Sequence, residues 1–189
     1  MQKFKIKIFN LRILTLSSII FIMLKENAIT DKKKPNEIVT WDEKYSVGIE
    51  LINGQHHELI VLTNQLYNAC FENDDKLHTA FKKAMSSLVG YVRFHFEAEL
   101  KILNAVNYPD YLKHKKMHED LVRDILEAVK DYNEGKKFVP NNLVRTLKDW
   151  IFSHIAVYDK MYSIYVMNQI KTGALSIKAL KDIEIAAVN

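Results

Sequence analysis

The sequence predicts an all-α protein, an up-down-up-down four-helix bundle with an N-terminal arm and a short C-terminal helix. Gly and Pro number only five and three among 189 residues, which argues against a turn-rich all-β chain. Apolar residues make up 48% of the chain and recur at helical spacing after the first 50 residues. Gly and Pro fall between these periodic segments, so the connections are short and neighbouring helices are antiparallel.

A leader precedes the predicted bundle. Residues 1–12 are basic, and residues 13–24 form an apolar run that is too short to span a bilayer, which needs about 20 residues. Basic followed by apolar is typical of an export signal, but no small-x-small cleavage site follows. The leader is therefore an export signal or membrane anchor, a packed helix, or an unrelated extension. We expect a cytoplasmic protein, with export or membrane tethering through residues 1–24 as the alternative.

The charge distribution disfavours a nucleic-acid partner. Residues 1–34 carry eight Lys/Arg against two Asp/Glu, a net charge of +6, whereas the rest of the chain has a net charge of −2. A nucleic-acid binder would carry its positive charge on the folded domain.

We divide the chain into a leader and linker (1–40), the bundle (41–172) and a tail (173–189).

Capping residues, Gly and Pro mark the predicted helix ends. Asn53 caps a first helix that begins near Gln55, and Asp74 or Asp75 caps the second. Pro109 takes the first position of the third helix, and Gly135 ends it. Pro140 opens the fourth helix, and Gly173 closes it. The tail repeats apolar residues at Ile177, Leu180 and Ile183. We expect it to form a short amphipathic helix that packs on the bundle.

Seven polar residues interrupt the apolar stripes of the four helices. They are His56, His95, Glu99, His114, His118, His154 and Asp159. Residues four apart share a helix face, so His95 and Glu99 point to one centre. Each unpaired polar group in a bundle core would cost about 1–3 kcal/mol, and a shared metal site would satisfy all seven together.

The composition of this set narrows the kind of metal site. A single cysteine, Cys70, excludes a disulfide framework and a four-thiolate site. Imidazole with carboxylate suits iron, manganese or zinc. Seven groups exceed the needs of one ion with an open position, so two ions bridged by two carboxylates are indicated.

The fourth helix needs a local adjustment to bring its two polar residues together. His154 and Asp159 are five residues apart, which places them about 140° apart on an ideal helix. Either the Asp159 side chain reaches round, or the helix loosens into a π-type turn, as often happens at functional sites. We favour a distortion between Ile155 and Asp159.

Four segments resemble bacterial hemerythrin, over about residues 41–165. They are WDEKYSVGIELINGQHHEL (residues 41–59), FHFEAEL (94–100), HKKMH (114–118) and WIFSHIAVYDKMY (150–162). The resemblance implies two iron ions joined by a solvent-derived oxo or hydroxo group. It implies that one iron is bound by His114, His118 and His154, the other by His56 and His95, and that Glu99 and Asp159 bridge both.

The resemblance also implies a function, reversible binding of molecular oxygen for storage, delivery or sensing. We expect no enzyme, because the stripes carry no spare catalytic carboxylate, thiol or nucleophile. The alternative is a di-iron redox enzyme that reduces peroxide or nitric oxide, or an iron-handling protein. The expected oxygen pocket is apolar and is lined by Ile60, Phe96, Ile151 and Ile155.

Overall fold

The computed structural model describes residues 36–188, and the leader predicted over residues 1–24 lies outside them. The elements are a 3-10 turn (Glu43–Tyr45), α1 (Glu50–Ala69), α2 (Asp74–Ala105), α3 (Tyr111–Asn133), α4 (Val139–Trp150), a π segment (Ile151–Asp159), α5 (Lys160–Lys171) and α6 (Ile177–Ala187). Right-handed helical dihedrals continue through both ends of the π segment, so α4, the π segment and α5 form one rod. The described part of the chain contains no strand, and the predicted all-α fold is confirmed.

The four long rods contact one another in a closed ring. α1 packs against α2, α2 against α3, α3 against α4, and α4 back against α1. Each rod buries one apolar stripe toward the centre of this ring, as expected for helices whose stability comes from packing an amphipathic face. Because the four rods form a ring, side chains on all four apolar stripes point into the same interior.

Three of the predicted helix ends are confirmed. α3 ends in a Schellman motif, in which Gly135 takes a left-handed conformation (φ 74°), its N–H donates to Tyr132, and Lys136 N–H donates to Asp131. This conformation favours Gly, which has no Cβ to clash. Pro140 lies in the first turn of α4, and Gly173 (φ 77°) follows α5.

The other helix starts were predicted wrongly. α1 begins at Glu50 rather than near Gln55, and Asn53 lies inside it, where its side chain accepts from Val47 N–H and donates to Ser46 Oγ. Asn53 therefore ties the N-terminal arm to α1 instead of capping it.

The caps of α2 and α3 also differ from the prediction. The N-cap of α2 is Asn73, whose side chain accepts from Lys76 N–H, rather than Asp74 or Asp75. Pro109 lies in the turn before α3 and not at its first position. In both cases several neighbouring residues have capping or turn propensity, and the packing of the helix decides which one is used.

Two apolar clusters fill the interior of the bundle. One contains Leu59, Phe81 and Ile125, and the other contains Ile52, Ile102 and Val166, all at most 2% exposed. Along each of the four rods, the predicted polar residues fall where one cluster gives way to the other. The polar residues therefore form a layer across the bundle between two apolar layers.

The C-terminal tail forms the predicted short helix and packs on the bundle. Leu180 in α6 is buried, Lys101 Nζ in α2 donates to Ala187 O over 3.1 Å, and Leu51 N–H donates to Glu184 over 3.3 Å.

Among residues 36–188, no helix combines the length and apolarity that crossing a membrane requires.

Candidate metal centre

All seven predicted site residues lie in the polar layer, each at most 3% exposed. α1 supplies His56, α2 supplies His95 and Glu99, α3 supplies His114 and His118, and the π segment supplies His154 and Asp159. The set therefore draws on every rod of the bundle, although its members span more than 100 positions in the chain.

Three histidines gather around Glu99. Potential ligand atoms of Glu99, His114, His118 and His154 all lie within 4.8 Å of one another. Glu99 Oε2 is 3.0 Å from His118 Nε2 and 3.1 Å from His114 Nε2, and His118 Nε2 is 3.1 Å from His154 Nε2. Three imidazole nitrogens and one carboxylate oxygen thus converge on a volume the size of one metal ion.

A second group overlaps the first through Glu99. His56, His95 and Glu99 also have potential ligand atoms within 4.8 Å of one another. Asp159 faces both groups, because its Oδ2 is 3.2 Å from His56 Nε2 and its Oδ1 is 3.0 Å from His154 Nε2. Both carboxylates are therefore placed between the two groups of histidines.

The predicted distortion of the fourth rod is confirmed, and it is longer than predicted. The π segment runs over Ile151–Asp159, four residues earlier than the expected start at Ile155. In a π-helix the backbone N–H of residue i+5 donates a hydrogen bond to the carbonyl oxygen of residue i. Residues five apart therefore lie on the same face of the helix. This geometry turns His154 and Asp159 toward the same centre.

The outer nitrogens of two histidines are fixed by acceptors. His56 Nδ1 lies 3.2 Å from the backbone oxygen of Tyr45, and His95 Nδ1 lies 2.9 Å from Gln55 Oε1. Both oxygens can only accept, so each Nδ1 carries the proton and each Nε2 is left with a lone pair. Partners of this kind set the tautomer and orientation that a metal-binding histidine needs.

Aromatic rings hold the other imidazoles in place. Phe96 stacks on His118 with ring centroids 3.7 Å apart, and Trp150 stacks on His154 at 3.8 Å. Phe96 also belongs, with Ile60, Ile151 and Ile155, to the first apolar cluster. These four residues are all buried, and their role as an oxygen pocket stays a prediction.

Three residues around the centre were not predicted from the sequence. Gln55 is buried and accepts from His95, Tyr91 donates to the Gln55 backbone oxygen and stacks on His95, and Tyr162 is fully buried beside His114. Gln55 and Tyr91 lie at helical spacing on the inward stripes. That spacing was an available signal, but it does not distinguish a supporting residue from ordinary core.

Burial and mutual charge shift the pKa values of the carboxylates in the centre. Burial alone would raise the pKa of Glu99, but hydrogen bonds from His114 and His118 hold it well below its usual range. Burial and the charge of Glu99 both raise the pKa of Asp159, but the neighbouring His154 outweighs them and holds the pKa of Asp159 below its usual range. Both carboxylates are therefore ionised at neutral pH, as metal ligands must be.

The donor set fits a metal. Within the described residues, Glu99 Oε1, His56 Nε2 and both Asp159 oxygens are buried without a hydrogen-bond partner. Buried polar atoms are normally paired, and these atoms all face the two overlapping groups. Nitrogen and oxygen donors without a thiolate suit iron, manganese or zinc.

His95 gives the metal-free protein a pH-dependent stability. Burial lowers the pKa of His95 to about 3, so between pH 6.5 and 3 the unfolded chain binds a proton there that the folded chain does not. The free energy of unfolding should therefore fall as the pH drops through this window. In His95→Gln this part of the pH dependence should disappear in urea titrations, whereas the exposed control His78→Gln should keep it. Equal slopes for His95→Gln and the wild type would contradict the assignment.

Comparison with known proteins points to one family. The family model of the hemerythrin HHE cation binding domain matches residues 47–163. Bacteriohemerythrin of Pseudomonas aeruginosa is 29% identical over 124 residues, which cover 66% of this chain and 78% of that protein. A hemerythrin-like protein of Naegleria gruberi is 30% identical over 122 residues, which cover 65% of this chain and 88% of that protein.

Solved structures of hemerythrin share the fold. One such crystal structure superposes with a TM-score of 0.62 and 24% identity, covering 68% of this chain and 96% of its own. The matched region of the family model contains all seven residues of the centre and the elements that carry them. The chain belongs to the hemerythrin HHE cation-binding family.

Proposed function

We propose that this chain binds molecular oxygen reversibly at a centre of two iron ions. His114, His118 and His154 would hold one iron, His56 and His95 would hold the other, and Glu99 and Asp159 would serve both. The observation that carries the proposal is the pair of overlapping donor groups that share Glu99. Membership of the hemerythrin family supports iron as the metal.

The unequal number of histidines supports an open position on one iron. The first group offers three imidazoles and the second offers two, while both carboxylates face both groups. When bound, two ferrous ions supply the two electrons that an oxygen molecule takes up. The residues of the chain orient these ions, exclude water and control protons.

The apolar wall around the centre excludes water. Ile151 and Ile155 are fully buried, and Ile60 and Phe96 are at most 6% exposed. The buried Tyr162 hydroxyl holds its proton, because burial and the charges of Glu99 and Asp159 raise its pKa well above 10. An apolar wall without a ready acid would limit the supply of protons to the centre, which favours release of oxygen over its reduction.

An oxygen-purging experiment tests this function. The reduced, iron-loaded protein is exposed to oxygen and then purged with inert gas, while its visible absorption is followed. Return of the colourless form through several cycles supports a carrier or sensor. If the protein instead turns over peroxide or nitric oxide catalytically and forms no oxygenated state that purging reverses, the carrier function is wrong. The redox-enzyme alternative then takes its place.

A carboxylate in the pocket wall should disturb reversibility. Ile151→Glu places an acid in the apolar layer beside the centre, so it should supply a ligand to the open position or shorten the life of the oxygenated protein. The control Ile151→Gln has almost the same volume without the charge. Absorption spectra and decay rates of the two variants should differ, with Gln closer to the wild type. Indistinguishable decay in both variants and the wild type would argue against a dry pocket at Ile151.

A further inference from the structure

A small cavity among the described residues is lined by one member of the buried centre, His114. The cavity has a volume of about 10 Å³, room for about one water molecule. His114 lines it, and the same imidazole lies 3.1 Å from Glu99 and 3.4 Å from Asp159 on its inner side. The His114 ring therefore separates the cavity from both carboxylates of the centre.

The outer wall of the cavity carries metal-binding chemistry. Asp110, Met117 and Met161 line it, offering a carboxylate and two thioethers. Asp110 is the N-cap residue of α3, yet its side chain makes no capping hydrogen bond. Asp is among the preferred capping residues because its carboxylate accepts from the first turn. Here that exposed carboxylate lines the cavity instead.

A positive charge lies at the same opening. Lys113 also lines the cavity, and its ammonium lies 5.5 Å from the centre of the Tyr158 ring. Lys113 and Asp110 thus place opposite charges at one mouth. A cation that passes this mouth is attracted by Asp110 and repelled by Lys113, and the reverse holds for an anion.

The element that carries the cavity is suited to opening. His114 lies in the first turn of α3, and terminal turns open locally at lower free energy than helix interiors. Rotation of the His114 ring would expose Glu99 and Asp159 to an ion held at Asp110.

We propose that the cavity bounded by Asp110, Lys113 and His114 is the port through which a divalent metal ion enters the centre. This inference rests on the proposed function, because it presumes that the buried groups bind metal. Asp110 attracts the incoming ion, Met117 and Met161 offer it soft contacts, and His114 passes it inward. Asp110 acts on the path and contributes no ligand to the final site.

The rate of metal uptake tests the port. Metal-free full-length protein is mixed anaerobically with Fe²⁺, and binding is followed by quenching of tryptophan fluorescence, since Trp150 stacks on His154 at 3.8 Å. Asp110→Asn should slow uptake about threefold or more at low ionic strength, and Lys113→Gln should accelerate it. Both effects should shrink at high salt. The final iron content should match the wild type, because a group on the path changes entry and exit rates alike.

Matched charge changes far from the cavity serve as controls. Asp75→Asn and Lys83→Gln lie in the N-terminal part of α2, whereas Asp110 follows the C-terminal end of α2. At 1.5 Å per residue, Asp75 lies roughly 45 Å along α2 from its C-terminal end. These controls should take up iron at the wild-type rate.

Each other outcome contradicts the proposal in a distinct way. If the rate of iron uptake does not change in Asp110→Asn and Lys113→Gln, or changes equally in the controls, the proposed port is wrong. The proposed metal centre is not affected by that result. Shifts of opposite sign would also overturn the port. A wild-type chain that takes up no iron would overturn the proposed function itself.

Discussion

Replacing Glu99 with Gln should abolish retention of metal at both groups. Glu99 is the only residue shared by the two clusters of potential ligands within residues 36–188, so the substitution removes a charged ligand from each. Iron affinity should fall by more than about 100-fold, since even an outer partner of a metal ligand is worth 10–100-fold. Iron analysis after gel filtration should find little metal.

The same substitution should lower the melting temperature of the iron-loaded protein. A ligand present at 100 times its dissociation constant stabilises the folded state by about 2.7 kcal/mol, which is about 5–10 °C for a chain of this size. The control is Glu97→Gln, an exposed residue on the same helix that pairs with Arg93. Full retention of iron in Glu99→Gln would contradict the shared role of Glu99.

Inserting one alanine after Ala156 should uncouple the two halves of the fourth rod. Ala156 lies between His154 and Asp159 in the π segment, whose wider turns already accommodate one more residue than an α-helix. A further residue that these turns do not absorb rotates everything after it by about 100° relative to α4. Tyr162 and Val166, both fully buried, would then leave the second apolar cluster or force the π segment to lengthen.

The expected result is loss of iron together with a large loss of stability, while far-ultraviolet circular dichroism stays strongly helical. Burying a large apolar side chain contributes about 1.5–3 kcal/mol, so displacing two such residues consumes much of a typical folding free energy. Inserting one alanine after Lys137, in the exposed turn before α4, also lengthens the chain by one residue and should be tolerated. An insertion after Ala156 that binds iron like the wild type would show that the register of the π segment has no role in placing the site.

The residue types and spacing predicted the fold and the convergence of the centre. Helical periodicity predicted the helices of the bundle. Gly135 and Pro140 predicted two of the helix ends, because Gly and Pro have strong backbone preferences of their own. The spacing of His154 and Asp159 also foretold the distortion, since an ideal helix cannot turn both inward. The start of the distortion at Ile151 is not encoded in that spacing.

Other features escaped prediction because they depend on tertiary contacts. Asn53 and Asn73 have the same capping propensity, yet Asn53 binds the N-terminal arm while Asn73 caps α2. Gln55 supports His95 from a different helix, and this contact exists only once α1 and α2 are packed. The cavity at Asp110 likewise arises where α3 meets the π segment.

The most direct test of the account is the amount of iron bound per chain. Metal-free wild-type protein is loaded anaerobically with excess Fe²⁺, freed of unbound metal by gel filtration, and assayed for iron and protein on the same sample. The seven buried residues of the centre predict two iron ions per chain, both lost in Glu99→Gln and retained in Glu97→Gln. One tightly bound ion per chain, or a single zinc at full occupancy that iron does not displace, would contradict the two-iron centre.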